Sequence, residues 1–217
     1  MNEQHETTYN SKLNPFLSVW LNTRNTVRYV IEEKSMVYVF LLILLTGITS
    51  TFVSLYQGTD DIGIPIGILI VGSAIISPIA VAIGIAIMSG IYLLVGKLFK
   101  GTGTYIELFK AVATSMIPQI WLLPLFLILM IVSPDLFFAG SESASNGAIF
   151  FMAIFAVILA IVTIWGIVIQ SKAIGEAHRF SSWKGFFTLL IPSLIIGIIV
   201  IAFMVIIFMI LIGTASL

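Results

Sequence analysis

The chain has 217 residues, no cysteine, 59% apolar residues and only 9% charged residues, with a formal net charge of zero. A soluble globular domain carries about 25% charged residues, so this composition excludes a soluble globule, a disordered chain and a disulfide scaffold. An all-α integral membrane protein remains.

Residues 1–13 are polar and read as a mobile tail. Asn14-Pro15 then reads as an N-cap followed by proline at the first helical position. Phe16, Trp20, Thr23, Val27, Val30 and Ile31 fall on one helical stripe, with Arg24 and Arg28 beside it. The pattern predicts a cytoplasmic, interfacial amphipathic helix over 14–35, with Phe16, Trp20, Arg24, Val27 and Arg28 as its membrane-surface residues. Packing beneath the helical bundle is the plainer use of the same face, and partner binding a third.

From Met36 onward the chain holds five stretches free of Asp, Glu, Lys, Arg and His. A spanning helix needs about 20 apolar residues, and the spans are placed at about 36–56, 64–95, 111–133, 148–170 and 186–212. The first begins too late for a cleavable signal, follows acidic residues and has no small-x-small cleavage site, so it reads as a retained span. The second is 32 residues, or ~48 Å of helix, and is predicted as one long helix tilted or kinked at Pro78. Its Ser73, Ser77, Ala80 and Gly84 form a small-residue row beside Ala82, Ala86 and Gly90. Such rows let backbones approach closely in lipid, which predicts a helix-packing or partner interface and a central place in the bundle.

The connector after it runs Gly96-Lys97-Leu98-Phe99-Lys100-Gly101-Thr102-Gly103-Thr104, then Tyr105 to Lys110. Its glycines permit a turn, and its aromatics and lysines suit the headgroup level of an anionic leaflet. The paired glycines lack the preceding strand and third glycine of a nucleotide-binding loop. In the third span, Pro118, Gln119, Trp121 and Pro124 predict a kink. Gln119 should face protein, lining either a small polar cavity or a structural joint. In the fourth connector, Glu176 and His178 are two residues apart and should point away from one another. With no cysteine and only His5 besides, no metal site is expected, and His178 reads as a pH-sensitive surface side chain.

All ten Lys and Arg lie in the N-terminal segment and in the second and fourth connectors, which makes one side +4 and the other −4. Basic connectors stay inside, so the N-terminus is placed in the cytoplasm and the C-terminus outside, in the cell membrane. Spans without charge disfavour a self-sufficient ion-coupled transporter. No nucleophile elbow, zinc-protease motif, phosphate loop or pair of intramembrane aspartates is present, so no enzyme activity, cofactor or metal is expected.

Three stretches resemble the Yip family, a five-span membrane domain first known from proteins that interact with Rab-type GTPases. They are Asn14-Pro15-Phe16 through Trp20, Arg24, Arg28, Glu32 and Glu33; Gly96 through Leu108 with Ala111 and Ile117-Pro118; and Trp165 through Lys172-Ala173 with His178. The chain lacks the long N-terminal region of the eukaryotic members and looks more like the short bacterial branch. The resemblance implies a non-enzymatic membrane scaffold or accessory subunit that assembles with another membrane complex, such as an ABC-type efflux or export system. A small self-contained transporter or channel is the alternative, and a lipid-binding or membrane-shaping protein a second. The expected partners are membrane lipids, another membrane complex such as ABC-type transporter components, or a second copy of the chain, with no nucleic acid.

Overall fold

The computed structural model describes residues 13–56, 65–132, 137 and 146–215. The tail over 1–12 and the connectors carrying Asp60, Asp61, Asp135 and Glu142 lie outside them. Among the described residues there is no strand. Five helical stretches are long and apolar enough to cross a membrane: Met36–Tyr56, Ile66–Leu98, Tyr105–Val132, Phe150–Ala177 and Ser182–Met209. Hydrocarbon offers the backbone no hydrogen-bond partner, so each stretch satisfies its own N–H and C=O groups as helix.

The N-terminal amphipathic segment is two helices, not one. α1 spans Pro15–Ser18 and α2 spans Thr23–Glu33. Asn14 caps α1 by accepting from the Phe16 N–H at 3.1 Å. The turn between them lets Val19 and Thr23 both become buried. Neither helix lies free on a surface. Val19 packs with Leu42, Ile117, Ile120 and Ile169, and Phe16 and Trp20 flank that cluster. The Trp121 indole donates to the Phe16 carbonyl at 3.1 Å, and the Trp165 indole to the Trp20 carbonyl at 3.2 Å. The exposed large apolar side chains here are Leu17 and Leu21, not the predicted stripe. The bundle-packing use of the stripe is the one the fold adopts.

α3 (Met36–Tyr56) and α4 (Ile66–Leu98) lie side by side. The second hydrophobic stretch is thus one helix, with Pro78 inside it. Pro78 packs on Gly47, where a Cβ would come within 2.5 Å of the proline nitrogen. Beside this contact Thr51 donates to the Ser77 hydroxyl at 3.1 Å. α4 is not central, in contrast to the expectation. The side it turns to the core carries Ala82, Ile85, Ala86, Ser89 and Tyr92. Of the small-residue row, Ser73 and Ser77 are half-buried, while Ala80 and Gly84 face outward. The contact surface runs along the neighbouring row because Gly47 receives Pro78 there.

The third span starts earlier than expected, at Tyr105, and is broken into α5 (Tyr105–Ser115), α6 (Ile117–Ile120) and α7 (Leu122–Val132). The breaks at Met116 and Trp121 accompany Pro118 and Pro124, which cannot donate to the helical ladder. α5 opens with a capping box: Thr104 accepts from the Glu107 N–H at 3.3 Å, and the Glu107 carboxylate accepts from the Thr104 N–H at 2.7 Å. Thr104→Ala should cost about 1 kcal/mol, read as a lower unfolding temperature in detergent micelles. A variant as stable as the native chain would show that the cap carries no weight.

α8 (Asn146–Ala177) and α9 (Ser182–Ala215) extend past the expected spans and carry Lys172, Glu176 and Lys184 on helix. α5 is the central element. Its Leu108, Phe109 and Val112 meet Val27 and Val30 of α2, Val39 and Ile43 of α3, Ile85 of α4 and Ile174 of α8 in one core cluster. A second cluster is aromatic and brings together Phe52, Phe126, Phe137 and Phe155, with the Phe126 and Phe155 rings edge to face at 5.1 Å.

Candidate functional site

α2, the α4–α5 connector and the α8–α9 connector converge at one end of the bundle, and with them the basic residues. The two connectors begin in the same way. α4 closes with Gly101 N–H donating to Gly96 C=O at 2.9 Å, and α8 closes with Phe180 N–H donating to Gly175 C=O at 2.9 Å. This is the helix-ending turn that needs one left-handed residue. Here that residue is a cation in both cases, Lys100 at φ 61 and Arg179 at φ 58. The two turns are joined where Thr102 N–H donates to His178 C=O at 3.1 Å.

Between the turns lies His178, which is 1% exposed and not the surface histidine that the sequence predicted. Helix α8 ends just before it, so the chain folds the ring inward against α4. Its Nε2 meets the Tyr92 carbonyl at 3.0 Å. A carbonyl only accepts, so the proton sits on Nε2 and Nδ1 keeps its lone pair. Nδ1 is buried without a hydrogen-bond partner, against Gly101 and Gly103. Phe180 stacks on the ring at 5.1 Å and 13°. A Cβ on Gly96 or Gly101 would overlap the imidazole, so the glycines form a cradle that leaves room for the ring.

Burial pushes the His178 imidazole below its ordinary value of 6.5, although the Tyr92 carbonyl and Glu107 oppose that shift. The unfolded chain then binds the proton more readily than the folded one. The neutral ring's stabilisation is complete above about pH 6.5 and is lost as pH falls below that value. The native protein should therefore unfold at a lower temperature at pH 5 than at pH 7.5, with a shallower dependence in His178→Gln. Equal slopes in the two proteins would contradict this.

Beside the cradle is an ion-pair network. Glu176 accepts from Arg28 Nε at 2.9 Å and from Arg24 Nη1 at 3.3 Å. Arg28 also donates to the Glu176 carbonyl at 2.8 Å, and Arg24 to the Phe180 carbonyl at 2.6 Å. Glu107 accepts from Arg179 at 2.7 Å and lies 4.0 Å from Arg28. Lys110 donates to the carbonyls of Ile31 and Lys34 at 2.8 and 2.7 Å, closing the end of α2. Arg24 and Arg28 thus point into the protein and fasten α2 to α8. Lys97, Lys100 and Lys184 remain exposed, next to Leu98 and Trp183.

The predicted residues of the third span separate. Pro118 and Gln119 line a cavity of about 430 Å³ between the broken span, Val53 of α3 and the Leu159–Gln170 stretch of α8. Trp121 and Pro124 lie outside it, Trp121 held by the Phe16 carbonyl. Sequence reasoning missed Glu107, Glu176 and the glycine cradle as one unit. Their signal was the presence of two isolated acids in connectors otherwise rich in cations. Among the described residues, no group of three His, Asp or Glu side chains is placed to hold a metal ion.

A family model described as the Yip1 domain matches residues 17–204. No curated protein and no solved structure matches the chain.

Proposed function

The chain belongs to the Yip1 domain family, and we propose that it is a non-enzymatic scaffold of the cell membrane, an accessory subunit of an ABC-type efflux or export system. In this reading the basic end is cytoplasmic and meets the partner. One observation carries it. Arg24, Arg28 and Lys110 are spent on internal contacts, while Lys97, Lys100 and Lys184 stay exposed, with Leu98 and Trp183 next to them in the chain. An exposed tryptophan suits an interface anchor, and exposed lysines near it would steer an acidic partner to the surface.

Affinity purification of the full chain in mild detergent tests the proposal. It should recover a membrane-embedded transporter subunit in stoichiometric amount, and Trp183→Asp should lose it while the protein still folds. Recovery of this chain alone in several detergents overturns it. The cavity beside Gln119 favours a second reading, a self-contained transporter. Solute flux through the purified protein in liposomes, with no other component, would select that one.

A further inference from the structure

We infer that the cavity at the broken third span is a binding site for an uncharged membrane amphiphile, a lipid whose small head carries hydroxyl or amide donors. The cavity is about 430 Å³, within the range of small-molecule sites. None of the residues that line it is charged. A charged head would enter such a place without a counter-ion, at high cost.

The lining is nevertheless polar. Ser115 and Gln119 come from the broken span, and Thr163 and Gln170 from α8. Each glutamine is tied at one end only. Gln119 donates to the Ser50 hydroxyl at 3.3 Å, and Gln170 to the Tyr92 hydroxyl at 3.4 Å. Neither amide oxygen accepts a hydrogen bond from the described residues, so both cavity-lining glutamines keep hydrogen-bonding capacity for an uncharged ligand. Pro118 and the helix break beside it open the space, because an unbroken helix would close its own ladder there. Thr163 and Ile167 at the α8 edge are exposed, which gives a lateral entrance for a molecule already dissolved in the bilayer. Val53, Leu122, Leu159 and Val162 supply apolar walls for the first carbons of its tails. An amide acceptor for its one hydroxyl, spare amide N–H groups for its ester oxygens, apolar walls and no charge fit a diacylglycerol-like head better than a phospholipid.

Gly166 allows a clean test, since it lines the cavity and a Cβ added there meets nothing within 4 Å. The full chain is placed in nanodiscs with a diacylglycerol bearing a diazirine near its glycerol, and irradiated. Adducts should concentrate in residues 115–122 and 159–170. Gly166→Leu should lower labelling at least fivefold at an unchanged unfolding temperature. Gln119→Leu should lower it in the same way, and carries the test if Gly166→Leu does not fold. Unlabelled diacylglycerol should compete, and phosphatidylglycerol should not. Labelling spread over the lipid-facing helices, labelling undiminished in both variants, equal competition by phosphatidylglycerol, or no adduct at all (a water-filled cavity) would each overturn the inference. None of these results bears on assembly with a transporter, which is read by purification alone.

Discussion

Gly96→Ala should disrupt the basic end of the protein, and His178→Ala should rescue it. A Cβ at Gly96 would occupy the place of the His178 ring. The ring cannot retreat, since Gly101 and Gly103 close the cradle behind it and Phe180 stacks on its face. Overpacking of this kind costs about 3 kcal/mol, and here it also breaks the Nε2 bond to Tyr92. The single variant should therefore unfold at a much lower temperature in detergent. Removing the imidazole frees the space that the new methyl needs. The double variant should recover about 1–3 kcal/mol over Gly96→Ala alone, the size of a direct steric coupling. Additive losses would mean that the glycine is required for some other reason than the ring.

Glu176→Ala should be the most damaging single change among the charged residues. The Arg28 side chain is 10% exposed and that of Glu176 17%, so water does little to screen the pair. Removing the carboxylate leaves the Arg28 guanidinium with the Glu176 backbone carbonyl, Glu32 at 3.7 Å and Glu107 at 4.0 Å, both carboxylates farther away than the one it loses. Breaking a buried pair from one side costs about 3–5 kcal/mol, and these two remaining carboxylates lower that cost here. Arg24 is more exposed and contributes little to that figure. The expected readout is early detachment of α2, seen as faster hydrogen exchange of residues 23–33 and a lower unfolding temperature. Arg28→Met in the same background should recover part of the loss, because it removes the stranded charge. No recovery would locate the damage elsewhere.

The five spans were legible because the bilayer imposes one rule on every residue of a span, and a charge-free stretch of 20 reports it directly. The convergence of the basic connectors was legible from the spacing of ten cations. The ends of the helices were not. Tyr105–Lys110 reads as a connector because it carries Glu107 and Lys110, yet it is helix: Glu107 closes the capping box and Lys110 holds the end of α2. Burial of His178 was equally hidden. It depends on glycines about 80 residues away in sequence whose only distinguishing property is what they lack. The peripheral place of α4 follows from Gly47 receiving Pro78, a pairing that no spacing within either helix reveals. Gln119 facing protein was readable, since an amide in hydrocarbon must find a partner.

The N-terminal helices have a consequence for how the protein is made. Arg28 is bonded to a residue 148 positions downstream and Trp20 to one 145 positions downstream. Those partners leave the ribosome only after four of the five spans have been synthesised. Until then the first two helices have only their contacts with α3 and the third span. A segment translated before all five spans is thus among the last to be fully fastened, and it acts as a latch that shuts once the fourth crossing is in place.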